Sequence, residues 1–260
     1  MTSEKYKLRL IGEEIASYQI QDKIWQGATS TVFKARNFSE NAPYGPYVAF
    51  KALHVYRDDP RHLNQFVREA KILMRLEHPY IVKVFRLIRA KTLIMLMEYI
   101  EGASLRQMVK ERDLPQEVLF NILTKIGEAL SFVHRNRIVH NDVKPENVLV
   151  SHDLATVKLI DFGYADILSW WRQRKEVFGG TEKYMAPEHR SGETDERTDI
   201  YSFGVMTEEL LMGRVDGEKE YLKDFLLKAT QHNPADRHQS MDHLLYEFRF
   251  VKKHTLPHKE

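Results

Sequence analysis

The hydrophobic pattern changes period near residue 100, and that change constrains the fold more than any other feature of the chain. Before it, apolar residues fall in short runs that read as strands: Tyr18 to Trp25, Thr31 to Ala35, Tyr47 to Leu53, Ile81 to Ile88 and Thr92 to Tyr99. One stretch in this part differs. Leu63, Phe66, Val67, Ala70, Leu73 and Met74 recur at helical spacing and put Glu69 on the flank of a helix. Glu101-Gly102-Ala103-Ser104 then breaks the pattern and reads as a linker. Beyond it, Leu119, Ile122, Leu123, Ile126, Leu130 and Val133 make a helical stripe. Short strands fit Val148 to Val150 and Val157 to Ile160. Another helix is expected from near Asp199, whose carboxylate suits a helix start, to near Gly213, with more at Tyr221 to Thr230 and Met241 to Val251. The expected class is α+β, with a small β-rich lobe over 1–100, a larger and mainly helical lobe over 101–260, and a ligand cleft at their junction.

Composition removes several functions. Hydrophobic residues at 43% and charged residues at 29% suit a globular chain and exclude a disordered or fibrous one. Lys and Arg number 39 against 37 Asp and Glu, so the concentrated basic footprint of a nucleic-acid binder is missing and no nucleic acid is expected as a partner. The absence of cysteine excludes disulfides, thiol nucleophiles and Cys-ligated zinc. No apolar run is long enough to cross a bilayer, and no hydrophobic signal region follows Met1-Thr2-Ser3-Glu4-Lys5. The expectation is a cytoplasmic protein without a membrane segment.

The chemistry concentrates in His140-Asn141-Asp142-Val143-Lys144-Pro145-Glu146-Asn147, followed by Asp161-Phe162-Gly163. A carboxylate, a cation and an amide share one loop ahead of a strand. The combination suits phosphoryl transfer: a base orients a hydroxyl, Lys offsets phosphate charge, and Asn and Asp oxygens hold Mg²⁺. Each fragment alone is weak; their order and spacing are strong.

With Val48-Ala49-Phe50-Lys51, Glu69, Ala186-Pro187-Glu188, Asp199 to Gly204 and Arg237, the set resembles the protein kinase family from about Tyr18 to Val251. The resemblance is to the eukaryotic-type (Hanks-type) serine/threonine kinases. Lys144 and Thr181 match that branch, and Gly12 to Ile20 and Asp195 to Ser202 look like its bacterial members. It implies the bilobal kinase fold, with the two lobes making one kinase domain, and ATP and Mg²⁺ as cofactors. Lys51 is implied to contact the α/β-phosphates and pair with Glu69. Asp142 is implied as catalytic base or hydroxyl-orienting group, Lys144 as the cation on the transferred group, and Thr181 as a contact of both. Asn147 and Asp161 are implied to bind the metal. Adenine is implied to lie between Val32 and Ala49 above and Leu149 below, with Met97 as gatekeeper and bonds from the backbones of Glu98 and Ile100. Ser104 matches a ribose contact, and Glu188 and Arg237 a structural ion pair.

Several departures matter. Of the glycine-rich loop, which maps onto Trp25 to Val32, only the central Gly27 survives, so weaker ATP binding is expected. Trp25 fits a lid over the nucleotide or, on the plainer reading, a cover for the small lobe. Asn141 stands where the family usually has Arg, and an amide cannot form the charge-assisted pair with an activation-segment phosphate. Activity independent of that phosphorylation follows as an expectation. Trp170 and Trp171, beside Arg172, Arg174 and Lys175, fit a docking point for a protein partner or acidic substrate; the plainer reading folds the pair onto the lobe. The short stretch from Gly213 to Arg237 makes a protein substrate less sharply indicated than phosphoryl transfer itself. The leading reading is an active kinase of protein Ser/Thr side chains. The alternatives are a pseudokinase acting as a nucleotide-binding or scaffold module, and a small-molecule kinase.

Overall fold

The computed structural model describes residues 10–39, 41–54, 60–168, 181–215 and 219–256. The described residues of 1–77 and 82–100 make one compact unit, and those of 78–81 and 101–260 the other.

The first unit contains β1 (Glu14–Ile15), β2 (Tyr18–Gln26), β3 (Ser30–Arg36), β4 (Tyr47–Leu53), α1 (Pro60–Leu73), β5 (Val84–Arg89) and β6 (Leu93–Glu98). The strands form one antiparallel sheet in the order β1-β2-β3-β4-β6-β5. Side chains alternate across a strand, so the register sorts them by face. Tyr18, Ile20, Phe33, Ala35, Val48, Phe50, Ala52, Ile94 and Leu96 gather with Leu10 in a buried core. On the other face the pairings Val32↔Lys51 and Ala49↔Met97 bring Val32, Ala49, Lys51 and Met97 together. α1 buries Phe66, Glu69, Ala70, Ile72 and Leu73.

The second unit contains β7 (Gly102–Ser104), α2 (Leu105–Glu111), α3 (Gln116–Arg135), β8 (Ile138–Val139), β9 (Val148–Ser151), β10 (Val157–Leu159), β11 (Asp166–Ile167), α4 (Glu196–Leu211), α5 (Lys219–Ala229) and α6 (Met241–Thr255). The stripe read from the sequence is the buried face of α3. It packs on α6, where Phe120 and Phe248 lie 5.3 Å apart. Phe248 also meets Phe203 of α4 at 5.9 Å and Phe225 of α5 at 5.3 Å, so one ring joins four helices. Gly127 permits the α3–α6 approach, because a Cβ there would sit 2.5 Å from a Leu245 methyl carbon.

The α+β class, with a β-rich unit and a larger helical one, agrees with the sequence reading. Three local readings change. The supposed linker is partly strand: Gly102, Ala103 and Ser104 pair with Ser151, Val150 and Leu149. A Cβ on Gly102 would lie 2.0 Å from the Val150 carbonyl oxygen, so this glycine marks a close backbone approach rather than a flexible joint. The strand expected from Ile81 starts at Val84, and Ile81 bridges to Leu159 in the second unit. α4 starts before Asp199: the Asp195 side chain accepts from the Arg197 N–H and Thr198 closes the capping box. Among the described residues no helix is long and apolar enough to cross a membrane.

Candidate active site

In the first unit Lys51 Nζ lies 2.6 Å from Glu69 Oε1, with side chains only 12% and 5% exposed. β4 puts Lys51 on the face opposite the core, and α1 carries Glu69 among its buried residues. The β2–β3 loop closes with the Gly27 N–H donating to the Ser30 carbonyl at 2.9 Å. The Trp25 indole, half exposed, folds back onto this loop; a Cβ on Gly27 would meet its Cη2 at 2.1 Å. Val32 and Met97 are half-buried on the Lys51 face and Ala49 is buried there. Glu98 ends β6 and its N–H donates to the Lys83 carbonyl at 2.9 Å. Ile100, the last residue of the unit, is half-buried.

In the second unit the sequence motif becomes a set of interlocking bonds. Asn147 Nδ2 donates to both the carbonyl and Oδ2 of Asp142 at 2.8 Å. Lys144 Nζ lies 2.7 Å from Asp142 Oδ2 and donates to Thr181 Oγ1 at 2.8 Å. The loop is anchored from below by Asp199. Its carboxylate, wholly buried, accepts the backbone N–H groups of His140 and Asn141 and a bond from His134 Nε2, each at 2.8 Å. Burial pushes the Asp199 carboxyl up, but His134, His140 and the backbone bonds outweigh it and hold the group below the usual carboxylate range. His140 Nδ1 accepts the Asp142 N–H at 3.3 Å, which leaves Nε2 to donate to the Ile160 carbonyl at 3.2 Å. The His140 ring meets Phe162 edge-on at 4.6 Å.

The Ile160 N–H donates to the Asn147 carbonyl at 2.9 Å, so the backbone leading to Asp161 runs beside Asn147. Asp161 has a left-handed φ of 62° and Asn141 one of 64°. Both residue types tolerate that region better than most, through local bonds of their short side chains. Asp161 Oδ1 accepts the Gly163 N–H at 3.2 Å, and the Asn141 amide donates to the Tyr164 carbonyl at 3.1 Å. Burial, and then the negative charges of Asp142 and Asp161, push the Tyr164 hydroxyl above its usual pKa. Because the Asn147 nitrogen is engaged with Asp142, its oxygen is the end left for a cation. That oxygen and the Asp161 carboxylate are the hard donors Mg²⁺ takes.

Other expected residues fall nearby. Leu149 is half-buried on β9, paired with Ser104, whose hydroxyl caps α2 by accepting from the Gln107 N–H. Arg237 forms a two-pronged pair with Glu188 at 2.7 and 2.8 Å. Thr181 is exposed, while Trp170 and Trp171 lie outside the described residues.

Two parts of this arrangement were missed in the sequence. Asp199 was read as a helix start, though it organises the catalytic loop. Arg106 of α2 bonds Glu146 of that loop at 2.7 Å, Glu209 of α4 at 2.6 Å, and the Tyr184 hydroxyl. Glu209 also accepts from Tyr184 and lies 2.9 Å from Lys183. Burial pushes the Glu209 carboxyl up, but Arg106, Tyr184 and Lys183 together hold it down at about 2.

The protein kinase domain family matches residues 18–248. The chain belongs to the protein kinase family. It is 34% identical to the serine/threonine-protein kinase PrkC of Bacillus subtilis, over 85% of this chain and 34% of that protein. It is 32% identical to the serine/threonine-protein kinase PknL of Mycobacterium bovis, over 85% of this chain and 62% of that protein. These similarities place it with the Hanks-type serine/threonine kinases. The match spans less than two thirds of either relative's length.

Proposed function

We propose that the chain is an active serine/threonine protein kinase, transferring the γ-phosphoryl group of ATP to protein Ser or Thr hydroxyls with Mg²⁺, and that its two units act as one catalytic domain. In the transfer a bond forms between the hydroxyl oxygen and the γ-phosphorus, and the bond to the ADP oxygen breaks. Asp142 orients the hydroxyl and accepts its proton at the carboxylate. Lys144 sets positive charge against the moving phosphoryl group, and its bond to Thr181 fixes where that charge sits. Lys51, held by Glu69, sets charge against the α/β-phosphates. Asn147 and Asp161 are the residues that would hold Mg²⁺, which when bound supplies positive charge to the phosphate oxygens. Most of the catalysis is positioning and electrostatics, so these groups suffice without covalent chemistry.

The observation that carries this reading is the grip on Asp142, whose Oδ2 is met by both Asn147 and Lys144 within 2.8 Å. A carboxylate held by two donors is aimed, as a hydroxyl-orienting group must be. Incubation with γ-labelled ATP, Mg²⁺ and a Ser/Thr peptide library tests it. Label should reach hydroxyl peptides with the native chain and not with Asp142→Asn. Absence of label on any acceptor would sink the reading.

Independence from activation-segment phosphorylation belongs to the same proposal. Asn141 is neutral and buried, and its amide is already bonded to the Tyr164 carbonyl, so it offers no charge to a phosphate.

A further inference from the structure

The β2–β3 loop keeps one glycine of its motif, yet it is held in place by a residue outside the motif. His54 lies just past β4 and is buried, at 6% exposed. The last β3–β4 pairs are Thr31↔Ala52 and Ser30↔Leu53, so the register carries His54 on to meet the loop. Its backbone N–H donates to the Thr29 carbonyl at 2.8 Å. Its ring Nδ1 lies 3.0 Å from the Ala28 carbonyl, and Nε2 lies 2.8 Å from Thr31 Oγ1. A carbonyl only accepts, so Nδ1 carries the proton; Nε2 of the neutral ring then accepts the Thr31 hydroxyl. One side chain and its own backbone thus fasten residues 28, 29 and 31. Trp25 lies against Gly27 of the same loop.

We propose that His54 is a positioning residue for the nucleotide: it sets the β2–β3 loop in its receiving form before ATP arrives. The proposal rests on the assignment of this loop to ATP. A free loop must be ordered when its ligand binds, and that ordering weakens binding. A loop fastened in advance avoids this loss, which offsets part of what the missing glycines take away. Since His54 touches the loop and not the reacting atoms, its effect falls on ATP binding rather than on turnover.

Steady-state kinetics and Mg-ATP binding on the whole chain test this. His54→Leu should raise both KM and Kd for Mg-ATP about tenfold and change kcat less than about threefold. Thr31→Val removes one bond at nearly constant shape, so it serves if the first variant fails to fold; it should raise both constants about threefold. His54→Gln, with an N–H for Ala28 and an oxygen for Thr31, should return them to within about threefold of the native values. Unchanged KM and Kd in a folded His54→Leu or Thr31→Val, or a loss confined to kcat, would overturn the proposal. Native protein that transfers no phosphate would instead defeat the functional reading. In that case amide exchange over residues 27–31 decides the brace: about tenfold faster exchange in either variant supports it, and unchanged exchange overturns it.

Discussion

The two units hold their candidate residues in different ways. In the first unit the groups assigned to the nucleotide lie on separate elements: Lys51 of β4 pairs with Glu69 of α1, and the β2–β3 loop is fastened from its side by His54. In the second, the catalytic loop is tied at nearly every residue. Asp142 is met by Asn147 and Lys144, His140 and Asn141 by Asp199, and Glu146 by Arg106. An ion pair that joins a strand to a helix changes when the helix moves, so the first unit is suited to regulation. A network keeps its geometry when one bond is lost, so the second unit is suited to chemistry that requires fixed positions. The sharpest contrast is expected at the charged centres themselves. Asp142→Asn keeps the shape and part of the bonding but loses the charge and the proton acceptor. Its kcat should fall about 10³-fold or more with little change in melting temperature, measured by label transfer and thermal unfolding.

The next largest effect tests the other unit. Lys51→Met should lower kcat/KM for ATP about 10²-fold. Glu69→Gln weakens the hold on Lys51 and should cost about tenfold, with more of the loss in KM than in kcat. If Glu69→Gln were as damaging as Lys51→Met, the pair would be a structural strut of the first unit rather than a setting device.

These contrasts also explain what could be read in advance. The α3 stripe and the β4 alternation were legible because burial imposes a period on a local segment. Asp142, Lys144 and Asn147 drew together in the sequence because they share one short loop, and the structure bonds them to one another. The strand at Gly102 to Ser104, just past the division between the units, was not read because a glycine required by a neighbouring carbonyl looks the same in sequence as one that frees a linker. Asp199 was misread for a related reason: it stands in the first turn of α4, where an acid is ordinary, while its partners lie 58 to 65 residues away. Arg106 and Glu209 are 103 residues apart and belong to no motif, so no local signal pairs them.

That distant network gives a smaller, pH-dependent effect. The Glu209 carboxyl is held at about 2, below its ordinary 4.5, so the folded state favours its ionised form. The stability it lends is fully present above about 4.5 and is lost as pH falls from there through about 2. Glu209→Gln should therefore be less stable than the native chain by about 2 kcal/mol at pH 7. The gap should narrow steadily below pH 4.5 in urea unfolding series. A gap independent of pH would mean that the packing of Glu209, not its charge, ties α4 to the catalytic loop.

The smallest expected effect concerns Asn141, where the second unit lacks a contact rather than multiplying one. Its backbone N–H is bound to Asp199 and its amide to the Tyr164 carbonyl, so the loop is already anchored at this residue without a cation. A phosphate on the activation segment would find no guanidinium here to pair with, and pairing is how such a phosphate orders a segment. Phosphatase treatment should thus leave the rate of label transfer within about twofold of the untreated protein. Mass spectrometry of the treated sample must show that the phosphate has been removed. Loss of activity on removal would mean that another cation has taken the place of the missing Arg, and that the fixed geometry of the catalytic loop is itself conditional.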